Sequence, residues 1–481
     1  MKSTKMKKTK DMRPDASVPV FEKFGFALGG AAANFMSTLI ATFLLVYYTN
    51  VVKIDAGVVG AVLGISRVFD GLSDLAAGWL IDHTKSKYGK CRPWQLYMII
   101  PFIICLIFMF WVPEGFSNVL KIAYIFVTYN LVNTVCLTIL SVSHAALNGA
   151  MSIDQKSRGI NGGLLMLLAV VMGIVMNSTT LQITSAVGGG NPYTQAGWTA
   201  MAIIYGIVFG LFTFFGFLTT TERVTLAEWQ KEKDVDIQEV YNRNEKKSQI
   251  KLLDDLNILV HNKYWVIFVL VMVFVTFSQT GLQTSNVYFA QYVLEDVFYY
   301  TPLANAQSIG SLVGVILALV LMTKFKKRNL CLTGICLLAI GSFMPFFCEN
   351  ITFLIVAGAL KGFGQGLAAC VLPGMLQDTI TYGIWKSGRD ILGMGNAAYS
   401  FCSKVGGALA TVLLGFILSA GGFDGALQVQ PDSAIAMIKV LYIWIPSIMM
   451  VAAAFAMYKY DLDNKYDQIA SELKDRMGRK E

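Results

Sequence analysis

Three charged residues stand inside an otherwise apolar stretch, ISRVFDGLSDLAAGWLID, and they are the residues with the clearest chemical potential. Arg67, Asp70 and Asp74 are spaced by three and four residues, which places them on one face of a helix. Two carboxylates one turn apart, with the Ser73 hydroxyl beside them, offer the hard oxygen ligands that a sodium ion takes, and they can equally share a proton. The spacing therefore predicts a cation site.

The composition places this helix in a membrane. Of the 481 residues, 55% are hydrophobic and only 15% are charged, whereas a soluble domain carries about 25% charged residues. A charge at the centre of a bilayer costs at least about 2.5 kcal/mol, so the charged helix face must look into a polar cavity. The net charge of +8 does not indicate a nucleic-acid partner, because the basic residues fall in short runs between apolar stretches.

The chain contains twelve apolar segments that are long enough to cross the lipid bilayer, which takes about 20 residues in a helix. An even number of crossings places both termini on the same side. Most Lys and Arg residues lie on that side, which predicts cytoplasmic termini and a multi-pass protein of the cell (inner) membrane. The segments run about 24–49, 56–82, 94–113, 118–147, 159–185, 198–219, 264–293, 303–323, 330–348, 352–384, 391–420 and 435–459.

The longest polar stretch divides these segments six and six. The predicted fold class is therefore an all-α membrane protein with twelve transmembrane helices in two six-helix bundles, which is the plan of the major-facilitator fold. About forty residues of connector cannot bury a core of their own, so we interpret this stretch as surface helix. The predicted units are a cytoplasmic N-terminal tail 1–23, a bundle 24–219, a cytoplasmic connector 220–263, a bundle 264–459 and a cytoplasmic C-terminal tail 460–481.

Two further cations lie inside apolar segments. Lys404, in FCSKVGGALA, is predicted to act with Arg67 in coupling, by moving between carboxylate partners; the alternative is a static ion-pair network that only balances charge. Lys361, in ALKGFGQGLAACV, favours an anionic solute if it faces the cavity. Its alternative is a Lys that reaches the interface or pairs with an acidic neighbour.

Uncharged polar residues collect on the central segments and suit a hydroxyl-rich ligand. Each of them alone also fits a hydrogen bond between helices. Gln279, Gln283 and Asn286 are spaced by four and three residues and share one face of the seventh segment. The predicted substrate-binding residues are Asn34, Tyr129, Asn133, Ser141, Gln279, Gln283, Asn286 and Lys361.

Enzymatic activity and ATP hydrolysis are not indicated. The sequence has no GxxxxGK[ST] loop, and its three histidines, His83, His144 and His261, lack metal-ligand spacing. The eight cysteines show no CxxC pair and are interpreted as small apolar residues. No cofactor is expected, and the energy must come from a gradient of the coupling ion, sodium or a proton.

Two motifs resemble those of the glycoside-pentoside-hexuronide:cation symporters, the melibiose permease-like family of the major facilitator superfamily. One is RVFDGLSDLAAGWLIDHTKSKYGKCRPW, residues 67–94, and the other is LQDTITYGIWKSGRD, residues 376–390. The resemblance implies cation binding by Asp70 and Asp74 with Ser73, Thr138 and Lys404 close by. It implies a cytoplasmic gate and latch formed by Asp82, Asp378, Tyr382, Trp385 and Arg389.

The solute pocket departs from that family's pattern. Asn34 and Ser141 stand where melibiose-type members carry acidic residues, and Ala145 and Ala369 stand in place of sugar-stacking tryptophans. These losses disfavour a galactoside. A sugar or sugar acid is expected as the solute of a monomeric carrier in the lipid bilayer; the alternative is a major-facilitator carrier of an amphipathic or lipid-like organic anion. Sodium is preferred slightly over a proton, because the hydroxyls of Ser73 and Thr138 serve as ligands only for sodium.

Overall fold

The structure is a computed structural model, and all secondary structure in its described part is helical. The membrane helices, named α1 to α12, follow the twelve predicted segments closely. The structure describes Arg13 and residues 17–152, 154–225, 252–322, 324–389, 391–427, 429–466, 468–469 and 472. The helices are α1 Val20–Val51, α2 Ala56–Asp82, α3 Arg92–Tyr97 with Ile99–Met109, α4 Asn118–Met151, α5 Gln155–Val187, α6 Gln195–Thr219, α7 Lys263–Tyr292, α8 Val297–Leu321, α9 Lys327–Phe346, α10 Ile351–Ser387, α11 Leu392–Ala420, and α12 Asp432–Lys439 with Val440–Trp444 and Ile445–Tyr458.

Helix α3 is the one described membrane helix that is broken near its start. It was predicted as a single segment, 94–113, but it turns at Met98 and ends at Met109. Pro101 explains the break, because its ring has no N–H to bond the carbonyl of Tyr97 and clashes with it. Eleven described helices are long and apolar enough to cross a membrane, and Ile99–Met109 is a shorter apolar piece.

Polar side chains cap the helix ends at the boundaries. Asp55 accepts a hydrogen bond from the N–H of Val58 (3.0 Å) at the start of α2, and Asn262 accepts from the N–H of Trp265 (3.2 Å) at the start of α7. The longest helix, α10, ends at Gly388, whose φ of +67° lies in the left-handed region. These signals follow the usual rules for helix termini and mark the starts of α2 and α7 and the end of α10.

The two halves meet along α2 with α11 and along α5 with α8. Small residues permit the first contact: a Cβ on Gly60 would lie 2.8 Å from the Cα of Gly415, so the two backbones touch as they do in small-residue membrane interfaces. The side on which α1 begins and α12 ends is called the terminal side here. Gly60 and Gly415 lie near the opposite side.

Hydrogen bonds between the halves close the opposite side. The hydroxyls of Thr49 and Tyr288 are 2.8 Å apart. The Asn50 amide donates to the Gln291 side-chain oxygen (2.9 Å) and to the Tyr292 hydroxyl (3.0 Å). These side chains join the end of α1 to the end of α7, and the core around them contains the stacked rings of Tyr288 and Tyr292.

The predicted connector 220–263 falls mostly on residues outside the described part of the chain. Its described end forms a short helix, Leu252–Val260, that leads into α7. Its described start holds Glu222, whose carboxylate accepts hydrogen bonds from the backbone N–H groups of Lys90 (3.0 Å), Cys91 (2.9 Å) and Arg92 (2.7 Å). These hydrogen bonds hold the polar stretch after α6 against the start of α3. Most of the predicted tail 1–23 and part of the tail 460–481 also lie outside the described residues.

Candidate functional site

Asp70 of α2 is buried against α4, and its exposed fraction is 7%. The Asn133 amide donates to one of its carboxylate oxygens (2.5 Å), and the Thr134 hydroxyl donates to the other. Both donors come from a π-helical stretch of α4, Asn130–Leu137, and such stretches often mark functional sites. The carboxylate is thus held in one orientation by neutral donors.

Asp74 pairs with a cation from the other half of the protein. The Lys404 ammonium of α11 forms an ion pair with the Asp74 carboxylate and donates a second hydrogen bond to the main-chain oxygen of Asp70 (2.9 Å). The Lys404 and Asp74 side chains are 31% and 29% exposed, so water reaches the pair. One ammonium group therefore holds two turns of α2 against α11.

The two hydroxyls predicted as ligands lie beside these carboxylates. Ser73 donates to the main-chain oxygen of Asp70 (3.0 Å) and to the Thr138 hydroxyl (3.3 Å). Carboxylate and hydroxyl oxygens from α2 and α4 form a hard donor set that fits sodium. Among the described residues, no group of three or more His, Cys, Asp or Glu side chains could hold a metal ion. Cation binding by Asp70 and Asp74 stays a prediction.

Arg67 forms no ion pair with Asp70 or Asp74 in the described structure, although a static ion-pair network was the alternative interpretation of these charges. Its guanidinium donates to the main-chain oxygen of Gly407 in α11 (2.7 Å). A cavity of about 260 Å³ adjoins it and is also lined by Tyr129, Asp70 and Lys404. Arg67 is therefore a second link between α2 and α11.

One cavity contains cation-site residues together with three predicted solute contacts. It measures about 490 Å³, and the predicted solute contacts that line it are Asn34 of α1 and Asn133 and Ser141 of α4. Asp70, Asp74, Thr138 and Lys404 also line it.

The three predicted contacts on α7 separate into two cavities. Gln283 and Asn286 line a cavity of about 450 Å³, whereas Gln279 lines another of about 330 Å³ with Gln377 and Asn396. Ala369 lines both cavities, and substrate contact by all three residues stays a prediction.

Lys361 does not face any of these four cavities, contrary to its prediction as a substrate contact. It is 2% exposed, and its ammonium donates to the Tyr442 hydroxyl (3.0 Å) and lies 4.3 Å from the centre of that ring. A hydroxyl and an aromatic face satisfy the charge without an acidic neighbour. Lys361 thus joins α10 to α12 within one half.

The predicted gate residues lie on the terminal side. Asp82 pairs with Lys90 (3.2 Å), and Asp378 pairs with Lys327 (2.6 Å). Each of these pairs joins residues of the same half. The Tyr382 ring packs against the rings of Tyr264 (4.8 Å between centroids) and Trp385 (5.7 Å). The ring N–H of Trp385 donates a hydrogen bond to the Glu472 carboxylate (2.9 Å). The backbone N–H of Arg389 donates to the Ser387 hydroxyl (3.2 Å).

Several site residues were not found by sequence reasoning. Thr134 bonds Asp70, Ser37 lines two cavities, and Gln307 and Gln365 line the cavity of Gln283 and Asn286. Thr134 was detectable, because it follows Asn133 directly. Single glutamines in apolar helices carry no such signal, since most of them bond to another helix.

Two helical halves around cavities, with two carboxylates at the wall of one of them, form the architecture of a membrane transport protein. The chain belongs to the MFS/sugar transport protein family, whose model matches residues 25–464. It is 26% identical over 463 residues to the isoprimeverose transporter of Lactiplantibacillus pentosus, covering 95% of this chain and 91% of that one. It is 27% identical over 465 residues to a glucuronide carrier protein homolog of Escherichia coli, covering 94% and 95%.

Solved structures show the same fold. A D-xylose-proton symporter superimposes with a TM-score of 0.64 at 15% identity, covering 92% of this chain and 98% of that one. A proton-dependent oligopeptide transporter gives a TM-score of 0.64 at 13% identity, covering 94% and 100%. The predicted fold class and family resemblance are confirmed, as is the conclusion that the protein is not an enzyme.

Proposed function

We propose that this protein is a secondary active transporter that moves a glycoside, pentoside or hexuronide together with sodium or a proton. The observation that carries the proposal is the Lys404–Asp74 ion pair, which joins the two halves at the wall of a cavity lined by polar side chains. The printed names of the relatives, an isoprimeverose transporter and a glucuronide carrier protein homolog, support a sugar-type solute.

The coupling step follows from the charges. Arg67, Asp70, Asp74 and Lys404 sum to zero, so the site is balanced without a bound cation. A cation that binds Asp70 and Asp74 competes with the Lys404 ammonium for the Asp74 carboxylate, which removes one link between α2 and α11. Reciprocity then requires that a solute which favours the freed arrangement tightens cation binding by the same factor.

The conformation supports alternating access. With cytoplasmic termini, as the positive charges indicate, the terminal side is the cytoplasmic one. Asp82 and Asp378 on that side pair within their own halves, while bonds between Asn50 and Gln291 close the opposite side. We propose that the closed opposite side corresponds to an inward-facing carrier whose halves rock about a site near the membrane centre.

Sodium is favoured slightly over a proton, because the Ser73 and Thr138 hydroxyls adjoin the carboxylates and would be ligands only for sodium. Lys361 does not support the alternative, a carrier of amphipathic anions, because its ammonium donates to the Tyr442 hydroxyl. No observation favours it over the sugar proposal.

Thermal unfolding of the purified protein tests the proposal. A ligand that binds the folded state raises apparent stability by mass action. We expect a sugar to raise the unfolding temperature more when the coupling ion is present, either sodium or, through a lower pH, protons. Asp432→Asn, an exposed carboxylate at the start of α12, is the control variant and should behave as the parent protein. Stabilisation by amphipathic anions alone, indifferent to either ion, would refute the proposal.

A further inference from the structure

We propose that the protein binds the headgroup of an anionic phospholipid at a basic patch on its terminal side, where α9 begins and α12 ends. The patch combines cations and exposed aromatic rings from two separate parts of the chain. This inference concerns the surrounding membrane and does not depend on which solute is transported. The residues of the basic patch are Lys324, Lys326, Arg328 and Lys459, with the rings of Phe325, Phe455 and Tyr458.

The four cations of the basic patch form no ion pair with an acidic side chain among the described residues. The Lys326 ammonium donates to the side-chain oxygen of Asn464, and the Arg328 guanidinium donates to the main-chain oxygen of Tyr458. Both of these acceptors are neutral. The positive charges therefore remain available to an anion, and a phosphate is the anion that Lys and Arg bind best.

The acidic residues of the same region do not cancel this charge. Asp461 is paired with Lys465 (3.0 Å) and with Lys263 (3.6 Å). Asp463 accepts a hydrogen bond from the main-chain N–H of Arg328 (2.8 Å), and its single negative charge offsets only one of the four cations. The basic patch thus stays positive and is complementary to an anionic headgroup.

Exposed aromatic rings accompany the cations. The Lys459 ammonium lies 4.6 Å from the centre of the Phe455 ring, and the Arg328 guanidinium carbon lies 5.4 Å from the centre of the Tyr458 ring. The two rings are 64% and 66% exposed. Aromatic rings at the end of a membrane helix lie at the level of the lipid headgroups, and the long side chains of Lys and Arg reach the phosphates there.

An apolar stripe on α12 leads to the basic patch. Its exposed residues recur at spacings of four and three, which places them on one face of the helix. A phospholipid whose phosphate contacts the cations can lay its acyl chains along this stripe, whereas a soluble phosphate would contact only the cations. The stripe therefore favours a lipid over a soluble anion. Its residues are Trp444, Ile448, Val451, Phe455 and Tyr458.

The alternative is that these basic residues only fix the topology, because Lys and Arg near helix ends are kept in the cytoplasm. Topology requires positive charge but no defined arrangement of it. In this protein the bond from Arg328 to Tyr458 holds the start of α9 against the end of α12, so cations that are distant in sequence converge. Lys327, by contrast, pairs with Asp378 (2.6 Å) and is not part of the patch.

Lipid binding to the purified full-length protein tests the inference. Native mass spectrometry from a neutral detergent measures the binding of phosphatidylglycerol and of phosphatidylcholine with the same acyl chains, whose headgroup has no net charge. We expect the parent protein to bind phosphatidylglycerol at least tenfold more tightly. Lys324→Gln with Lys459→Gln, which replaces two exposed side chains, should reduce that preference at least fivefold and leave phosphatidylcholine binding unchanged. Arg328→Gln is a second variant with the same expected direction.

A matched double variant separates a local site from the general attraction of a positive surface. Lys85→Gln with Lys87→Gln removes two exposed cations from the terminal side of the other half and should bind both lipids as the parent protein does. Equal losses in the two double variants would assign the effect to overall charge and overturn the inference. Equal affinity of the parent protein for the two lipids would overturn it as well.

A soluble probe separates a lipid headgroup from a free phosphate. Glycerol 3-phosphate carries the phosphate without acyl chains, so we expect it to displace phosphatidylglycerol only at concentrations at least a hundredfold higher than those of the lipid. Displacement at comparable concentrations would assign the basic patch to a soluble phosphate and overturn the proposed lipid site.

Discussion

Lys404 of α11 and Asp74 of α2 form an ion pair across the two halves of the protein, and the same ammonium donates to the main-chain oxygen of Asp70 (2.9 Å). A single side chain thereby fastens the interface and occupies the carboxylate that a coupling cation needs. Arg67 adds a bond from α2 to the main-chain oxygen of Gly407. The proposed coupling follows because Asp74 is both the partner of Lys404 and the proposed ligand of the coupling cation.

The first prediction concerns that competition. In Lys404→Gln, both carboxylates lose their ammonium neighbour, so we expect the sugar-free protein to bind the coupling cation about tenfold more tightly, which corresponds to about 1.4 kcal/mol. Cation-dependent thermal stabilisation measures this change. The matched control is Lys439→Gln, which breaks a half-exposed pair with Glu349 and should not alter cation binding. Unchanged or weaker cation binding in Lys404→Gln would argue against competition.

The second prediction concerns the donors around Asp70. Thr134→Val keeps the side-chain shape but removes a hydrogen bond to an ionised carboxylate, which is worth about 1.5–3 kcal/mol. We expect cation affinity to fall about tenfold or more, read from the cation concentration that gives half-maximal uptake. Thr134→Ser restores the hydroxyl and should restore the affinity. A parent-like Thr134→Val would mean that the carboxylate is not oriented for binding.

The third prediction concerns the closed side. Thr49 and Tyr288 are both 1% exposed, and Tyr288→Phe removes the bond between them, at a cost of about 1 kcal/mol. The closed state should lose population about fivefold. A reporter, Ser37→Cys in the cavity wall, should then react faster with a membrane-impermeant thiol reagent applied from outside.

The comparison for this experiment is Tyr299→Phe, which changes an exposed ring at the same side of the membrane. It should label at the parent rate, and the protein without the reporter cysteine sets the background from native cysteines. Equal labelling in the two Phe variants would show that the Thr49–Tyr288 bond does not hold the closed side.

The fourth prediction contrasts two ion pairs at the terminal side. Arg223 and Glu22 are 1% and 2% exposed at 2.9 Å, so Arg223→Met leaves a carboxylate buried without its Arg partner and should cost about 3–5 kcal/mol. The Lys90–Asp82 pair is open to water at its acidic end, with Asp82 69% exposed. Asp82→Asn should cost less than about 1 kcal/mol. Thermal unfolding of both variants checks the order, and comparable losses would contradict it.

The twelve crossings and the cation face could be predicted from sequence for a clear physical reason. Apolar length marks a crossing, and charges in lipid are so costly that Arg67, Asp70 and Asp74 had to share one cavity-facing side. Spacing by three and four residues is a local property of a single helix. Such properties are readable without knowledge of how the helices pack.

Properties that depend on packing were not readable. The sequence shows Lys361 in an apolar helix but not its neighbour Tyr442, which comes from another helix and satisfies its charge. Gln279 and Gln283 share a face of α7, yet they line two cavities whose other lining residues include residues of other helices. Gln307 and Gln365 meet only because α8 packs on α10.

The most direct test of the account is sugar accumulation by the parent protein and by Asp74→Asn in vesicles with an imposed sodium or proton gradient. The account predicts that Asp74→Asn loses uphill accumulation while the purified variant stays folded and still equilibrates sugar down its gradient, because the variant has lost a ligand for the coupling cation and its ion pair with Lys404 but keeps the solute contacts. Undiminished uphill accumulation in Asp74→Asn would contradict it.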